Sequence, residues 1–117
     1  MGSNSDGKLG IGEKNLQFSN VPCLVESLNN IQKVSCGMSH TLAINDKGES
    51  FSWGSGFYGC LGLKDHSDIV YSPIKIESLL FEKVVDISAG SRHSLFVTQK
   101  HEVYACGDQK SGALGLG

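Results

Sequence analysis

One glycine-punctuated segment occurs three times in this chain, and that recurrence limits the folds open to it. Gly2-Ser-Asn-Ser-Asp-Gly7-Lys-Leu9-Gly10 returns as Gly54-Ser-Gly-Phe-Tyr-Gly59-Cys-Leu61-Gly62. It returns again as Gly107-Asp-Gln-Lys-Ser-Gly112-Ala-Leu114-Gly115, at steps of 52 and 53 residues. A unit of this length cannot bury its own hydrophobic face and must stack on its neighbours. Leucine-rich, ankyrin and tetratricopeptide units are shorter and carry other punctuation. The period therefore points to blades.

Within each unit the signals are those of strands. Val34-Ser-Cys-Gly37-Met-Ser-His40-Thr-Leu42-Ala-Ile44 matches Ile87-Ser-Ala-Gly90-Ser-Arg-His93-Ser-Leu95-Phe-Val97. The segments are short, rich in β-branched and aromatic residues, and bounded by Gly, Asn, Asp and Ser. The pattern predicts strands at 33–37, 41–45, 49–53 and 72–77, then at 85–89, 94–98 and 102–106. A further strand is expected at 21–26. Asn45-Asp46-Lys47-Gly48 reads as a hairpin turn with glycine at a left-handed position. His101 replaces that glycine in the second unit, so a different turn is expected there. A helix over Leu24–Ile31 is a weaker alternative. Four antiparallel strands per unit make an all-β protein of β-propeller blades.

Composition excludes several classes. The formal net charge is −2 and the basic residues are not clustered, so the electrostatic footprint of a nucleic-acid binder is missing. No apolar run is long enough to span a membrane, and Met1 leads into a polar turn, so an intracellular home, cytoplasmic or nuclear, is expected. The four cysteines do not recur between units and form no C-x-x-C pair, which predicts buried free thiols.

The pattern G-x-x-x-x-G-x-L-G, then P-x-x-(V/I), then (V/I)-S-(C/A)-G-x-x-H-(T/S)-L, then W-G resembles the regulator of chromosome condensation repeat. Departures are Lys64 for a turn glycine, His101 for the hairpin glycine and Cys106 for the tryptophan. The resemblance implies a seven-bladed propeller, of which this chain would be a fragment. Repeat 1 would run over 2–53, repeat 2 over 54–106, and the opening turn of a third over 107–117. It implies a protein-interaction module without catalysis of its own. The alternative it implies is part of a guanine-nucleotide exchange factor for a Ran-like small GTPase. No insertion here is long enough for the protruding wedge of such a factor.

The candidate residues divide into frame and surface. His40 and His93 recur once per unit at a tight turn and lack convergent metal or catalytic partners, so they read as hydrogen-bonding wedges. Gly37 and Gly90 belong to the same turn. Gly2, Gly7, Leu9 and Gly10, with Gly54, Gly59, Leu61 and Gly62 and with Gly107, Gly112, Leu114 and Gly115, form the repeated glycine turn. Gly54-Ser-Gly56-Phe-Tyr-Gly59 matches a dinucleotide fingerprint in letters only, since no helix is expected after it. Trp53 is expected to pack between blades. Phe57 and Tyr58 are adjacent aromatics absent from the sister turns, and Arg92 occupies a variable turn position; these three are the partner-binding candidates. Asp65, His66 and Asp68 read as a solvated loop. No metal and no cofactor is expected. The expected partner is a protein, a small GTPase among the options. Self-association through unpaired edges at 21–26 and 102–106 is also expected.

Overall fold

The computed structural model describes residues 25, 28–56, 61–63 and 69–107, with the backbone of two short strands, β1 (Gly2–Ser3) and β2 (Phe18–Ser19). Strands β3 (Ile31–Cys36), β4 (His40–Asn45), β5 (Ser50–Ser55) and β6 (Ile69–Lys75) form one antiparallel sheet in chain order. Strands β7 (Val84–Ala89), β8 (His93–Thr98) and β9 (Val103–Gly107) form a second. A single 3-10 turn, Glu77–Leu79, links β6 to β7.

The repeat in sequence is a repeat in register. A bulge between Ile31 and Lys33 returns between Val84 and Asp86, and the β7–β8–β9 ladder reproduces β3–β4–β5. Gly2 pairs with Ser19 and Ser3 with Phe18, as Gly54 pairs with Val70 and Ser55 with Ile69. The β1–β2 pair thus stands at the same phase as the end of β5 and the start of β6.

The two sheets stack, with β7 packed against β3 and β4. Register places Leu42 beside Ser35 and Ser52 on one face of the first sheet. From that face Leu42 and Ile44 meet Val84, Ile87 and Phe96 of the second sheet, with Ile76 and Leu79 closing the cluster. Ala43 points the other way and packs with Trp53, Leu61 and Val70. Every residue of β4 is buried, as expected of a strand covered on both faces.

Strand bounds shift from the sequence expectation where pairing outlasts propensity. β6 begins at Ile69 because Ile69 and Val70 pair with Ser55 and Gly54 past a second irregularity. It stops at Lys75 because Ile76 opens the 3-10 turn. The expected 21–26 strand lies outside the described residues except Val25, which is in no strand. The helix over 24–31 is not what the described part forms: Val25, Leu28 and Asn29 are in no helix, the Leu28 amide bonds the Val25 carbonyl at 3.3 Å, and Ile31 opens β3.

The second hairpin also departs from expectation. The Gly48 amide donates to the Asn45 carbonyl, and the His101 amide to that of Thr98. The Asn45 amide meets the Glu49 carbonyl as the Thr98 amide meets that of Glu102. The turn is the same, and His101 adopts φ 68° where Gly48 has φ 81°. The ladder on either side imposes the geometry and overrides the side chain's preference.

Candidate functional site

The repeated Gly-x-x-His segment builds the seam between the blades. The Gly37 amide donates to the His40 carbonyl at 2.8 Å, and the Gly90 amide to that of His93 at 2.9 Å, closing both turns alike. A Cβ on Gly37 would stand 2.6 Å from His40 Cε1 and would strike the Gly90 carbonyl oxygen across the seam. One on Gly90 would strike the His93 ring. Gly54 (φ 107°) and Gly107 (φ 128°) lie against the backbone of the histidine strands. A Cβ on Gly54 would be 2.7 Å from His40 Cα, and one on Gly107 would be 2.6 Å from His93 Cα. The W-G glycine therefore lets β5 and β9 approach the turn before each histidine.

His40 is wholly buried, and its Nε2 is 2.8 Å from the Ser94 hydroxyl of the next blade. Among the described residues its Nδ1 has no hydrogen-bond partner. Burial holds its pKa below the usual histidine value, and the His93 ring adds to the lowering, while a bond to the His93 backbone opposes it. A neutral ring in that setting, bonded to one hydroxyl of the next blade, is a strut. Ser35 adds a parallel link by accepting the Ala89 amide at 2.9 Å. Lys33 and Asp86, which occupy equivalent positions in successive repeats, form a half-exposed ion pair. The Lys33 ammonium, and then the Ile87 amide, hold the Asp86 carboxyl below its ordinary pKa.

The other candidates fall in different places. Leu61 is buried against Trp53, and its carbonyl accepts the Ser52 hydroxyl at 2.7 Å. Gly62 follows at φ 68°. His93 is half-buried and Arg92 exposed in the turn before β8. Phe57, Tyr58 and Gly59 lie outside the described residues. So do Gly7, Leu9, Gly10, Gly112, Leu114, Gly115 and the Asp65–Asp68 cluster. Gly54 and Ser55, the start of the apparent dinucleotide fingerprint, are strand residues of β5. Among the described residues no three of His, Cys, Asp and Glu group together as a metal would require.

Trp53 packs on its own blade with Ala43, Leu61 and Val70, on the face turned away from the second sheet. Cys36 corrects the expectation of buried thiols. It is exposed, because β3 is an edge strand and Cys36 pairs with Thr41, whose side faces away from the second blade. Cys106 is half-buried against the seam core.

Strand direction sorts the loops into two ends. The turns at 37–39 and 90–92 and the segment after β5 share one end, tied by the Ser55 amide donating to the Ser39 carbonyl at 2.9 Å. The hairpins at 46–48 and 99–101 and the 76–83 connector share the other, where the Val84 amide donates to Gly48 and the Gln99 amide to Lys83. The hairpin end carries a feature that the repeat reading passed over. Val25-Glu-Ser-Leu28 recurs as Ile76-Glu-Ser-Leu79, with the Leu79 amide on the Ile76 carbonyl at 3.2 Å, as Leu28 is on Val25. From there to the next strand the second unit has two extra residues, which places Leu80 and Phe81 outside the repeat. Aligning Pro22 with Pro73 would have exposed the insertion.

The family model described as the regulator of chromosome condensation (RCC1) repeat matches residues 1–44 and 47–97, and a second RCC1 repeat model matches 31–60 and 84–113. The chain belongs to the RCC1 repeat family. This RCC1-repeat chain is 36% identical over 118 residues to the probable E3 ubiquitin-protein ligase HERC6 of Homo sapiens, covering 99% of itself and 11% of that protein. Its fold matches human WBSCR16 with a TM-score of 0.83 at 28% identity, covering 94% of this chain and 29% of that one. It matches Prp20p of Saccharomyces cerevisiae with a TM-score of 0.79 at 30% identity, covering 91% and 27%. The RCC1 repeats of this chain are blades of the β-propeller kind found in those structures, and the chain spans less than a third of each of these relatives.

Proposed function

We propose that this chain is a protein-interaction module, a two-repeat part of a larger propeller, with no catalysis of its own. The observation that carries this reading is the use made of the recurrent histidine. His40 is buried and bonded to Ser94 across the seam, so the repeated polar residues hold blades together and leave variable loops to meet a partner. Repeats at 2–53 and 54–106 suit the register, and Arg92, in the turn before β8, is read with the sequence candidates Phe57 and Tyr58 as the contact set. The remaining repeat glycines and leucines act as frame. The test is a pull-down from nuclear and cytosolic extracts with the full chain, repeated with Arg92→Ala and with Phe57→Ser/Tyr58→Ser. A specific protein whose capture those variants abolish, with unfolding midpoints unchanged, supports the reading. Capture that is indifferent to all three residues overturns their assignment.

A second reading is favoured by one comparison. The structure of Prp20p is described together with its binding to Gsp1p and histones. On that likeness the parent protein would be an exchange factor for a Ran-like GTPase. Nucleotide release from such a GTPase, followed by fluorescence, would be accelerated by the parent protein; an unchanged rate would eliminate this reading.

A further inference from the structure

Each half of the seam between the blades is present twice, once covered and once open. Val34 and Ile87 are repeat equivalents, yet Val34 is 51% exposed and Ile87 5%. Ile87 meets the first blade, whereas Val34 faces away from the second. The far face of the second blade shows the converse. Register puts His93, Leu95 and Val97 of β8 on it, and all three are half-buried. Their equivalents His40, Leu42 and Ile44 are fully buried in the seam. Asp86 and Ser88 of β7 stand exposed beside them. On the Val34 side the outer part is filled by Trp53, Leu61 and Val70 packed on Ala43, so the open part is β3.

The two open faces match position by position. In the seam within the chain, Val84 and Ile87 of β7 meet Leu42 and Ile44 of β4. On the open faces β3 offers Ile31 and Val34 at the first pair of positions, and β8 offers Leu95 and Val97 at the second. The Ser35 hydroxyl accepts the Ala89 amide, and Ser88 and Cys36 are their equivalents. His40 bonds the Ser94 hydroxyl, and the Ser94 position of the first blade holds Thr41, again a hydroxyl. Charge agrees as well. Lys33 and Asp86 are equivalents of opposite sign that already form an ion pair. Stacking a first blade on a second blade sets Lys33 of one copy beside Asp86 of another and continues that alternation.

We propose that this chain self-associates head to tail: β3 of one copy seats on β7 and β8 of another, as β7 seats on β3 and β4 within the chain. This rests on the two-repeat reading and commits the open face to a second copy, because that copy carries the matching apolar residues and the opposite charge. The outer edge agrees. Among the described residues β9 is an edge strand where β5 pairs with β6, and β2 of the second copy stands at the phase of the start of β6. A contact between two different faces is heterologous, so it propagates until a ring closes. Val34 and Ala43 replace the larger Ile87 and Phe96, so less apolar surface is buried than within the chain. The copy seam is therefore the weaker one, and assembly depends on concentration.

Sedimentation velocity of the full chain, from micromolar to millimolar concentration, tests this. The sedimentation coefficient rises with concentration. Val34→Glu blocks one face and Val97→Glu the other, and each weakens self-association at least about tenfold. Circular dichroism and the urea midpoint confirm that the variants fold, and Ser88→Glu, at an exposed position of the same face, replaces Val97→Glu if that variant does not. Mixed in equal amounts, the two blocked variants form a one-to-one dimer and nothing larger, because each keeps the face that the other has lost. A folded chain that stays monomeric throughout, blocked variants that still assemble alone, or blocked variants that fail to pair when mixed would each overturn the proposal. Capture of a protein through Arg92 is read separately, and it would uphold the module reading in any of those cases.

Discussion

The His40 ring fills the space that a side chain on Gly37 would need: Cε1 and Nδ1 lie 2.6 and 2.8 Å from the ideal Cβ position, with the Gly90 carbonyl closing the site from the next blade. The recurrent spacing of glycine and histidine is therefore a steric contract. Gly37→Ala must displace either the ring or the neighbouring backbone. It is expected to destabilise the chain by about 3 kcal/mol, the upper range for overpacking a tight site. Gly62→Ala supplies the contrast. Its φ is 68°, but the nearest atoms to its Cβ stand at 3.5 Å, so only the left-handed backbone is penalised, by about 1 kcal/mol. Urea unfolding of the two variants reads the difference directly.

The same ring makes stability depend on pH. Burial lowers the His40 pKa in the folded chain below the ordinary value of 6.5. The unfolded chain then binds the proton first, so stability is fully present above pH 6.5 and is lost as pH falls from there toward the lower native value. Asp86 and Glu49 have lowered pKa values from ordinary ones of 3.8 and 4.5, and they release their stabilisation only at lower pH. The window just below 6.5 therefore separates the His40 contribution from that of these carboxylates. The urea midpoint should decline there in the parent chain and stay flat in His40→Gln. A parallel decline in both would remove His40 from the explanation.

The fold was legible because the informative residues are those with no freedom. Glycines at positive φ, a buried histidine and β-branched strand residues recur at one spacing, and each recurrence is imposed by the same local geometry. Leu80–Phe81 escaped because an insertion has no sister to compare with. The exposure of Cys36 escaped because its identity reports a preference for burial, whereas its place on an edge strand is decided by the stacking of sheets. The turn at His101 escaped for a related reason, since the ladder fixes a backbone that the residue itself does not favour.

His101 therefore gives a stabilising prediction. It sits at φ 68° in the position that Gly48 fills in the first blade. A non-glycine residue in the left-handed region gives up roughly 1–2 kcal/mol, and glycine returns part of that as unfolded-state entropy. His101→Gly is expected to raise stability by about 0.5–1 kcal/mol. The opposite exchange, Gly48→His, should lower stability by more than His101→Gly raises it, because a Cβ there meets Lys83. Thermal melts of the pair settle the direction.

Two links cross the seam near each other, and they should differ in worth. Lys33 and Asp86 are about half exposed, so water and salt screen their attraction. Lys33→Ala is expected to cost no more than about 0.5 kcal/mol, and less at high ionic strength. The Ser35 hydroxyl instead accepts the Ala89 amide, which lies between strands packed at the seam. Ser35→Ala leaves that amide without its acceptor and should cost about 1–2 kcal/mol at any salt concentration. Urea midpoints at low and high sodium chloride separate the cases. A salt-sensitive loss in Ser35→Ala, or a larger loss in Lys33→Ala, would show that charge rather than backbone satisfaction holds the blades in register.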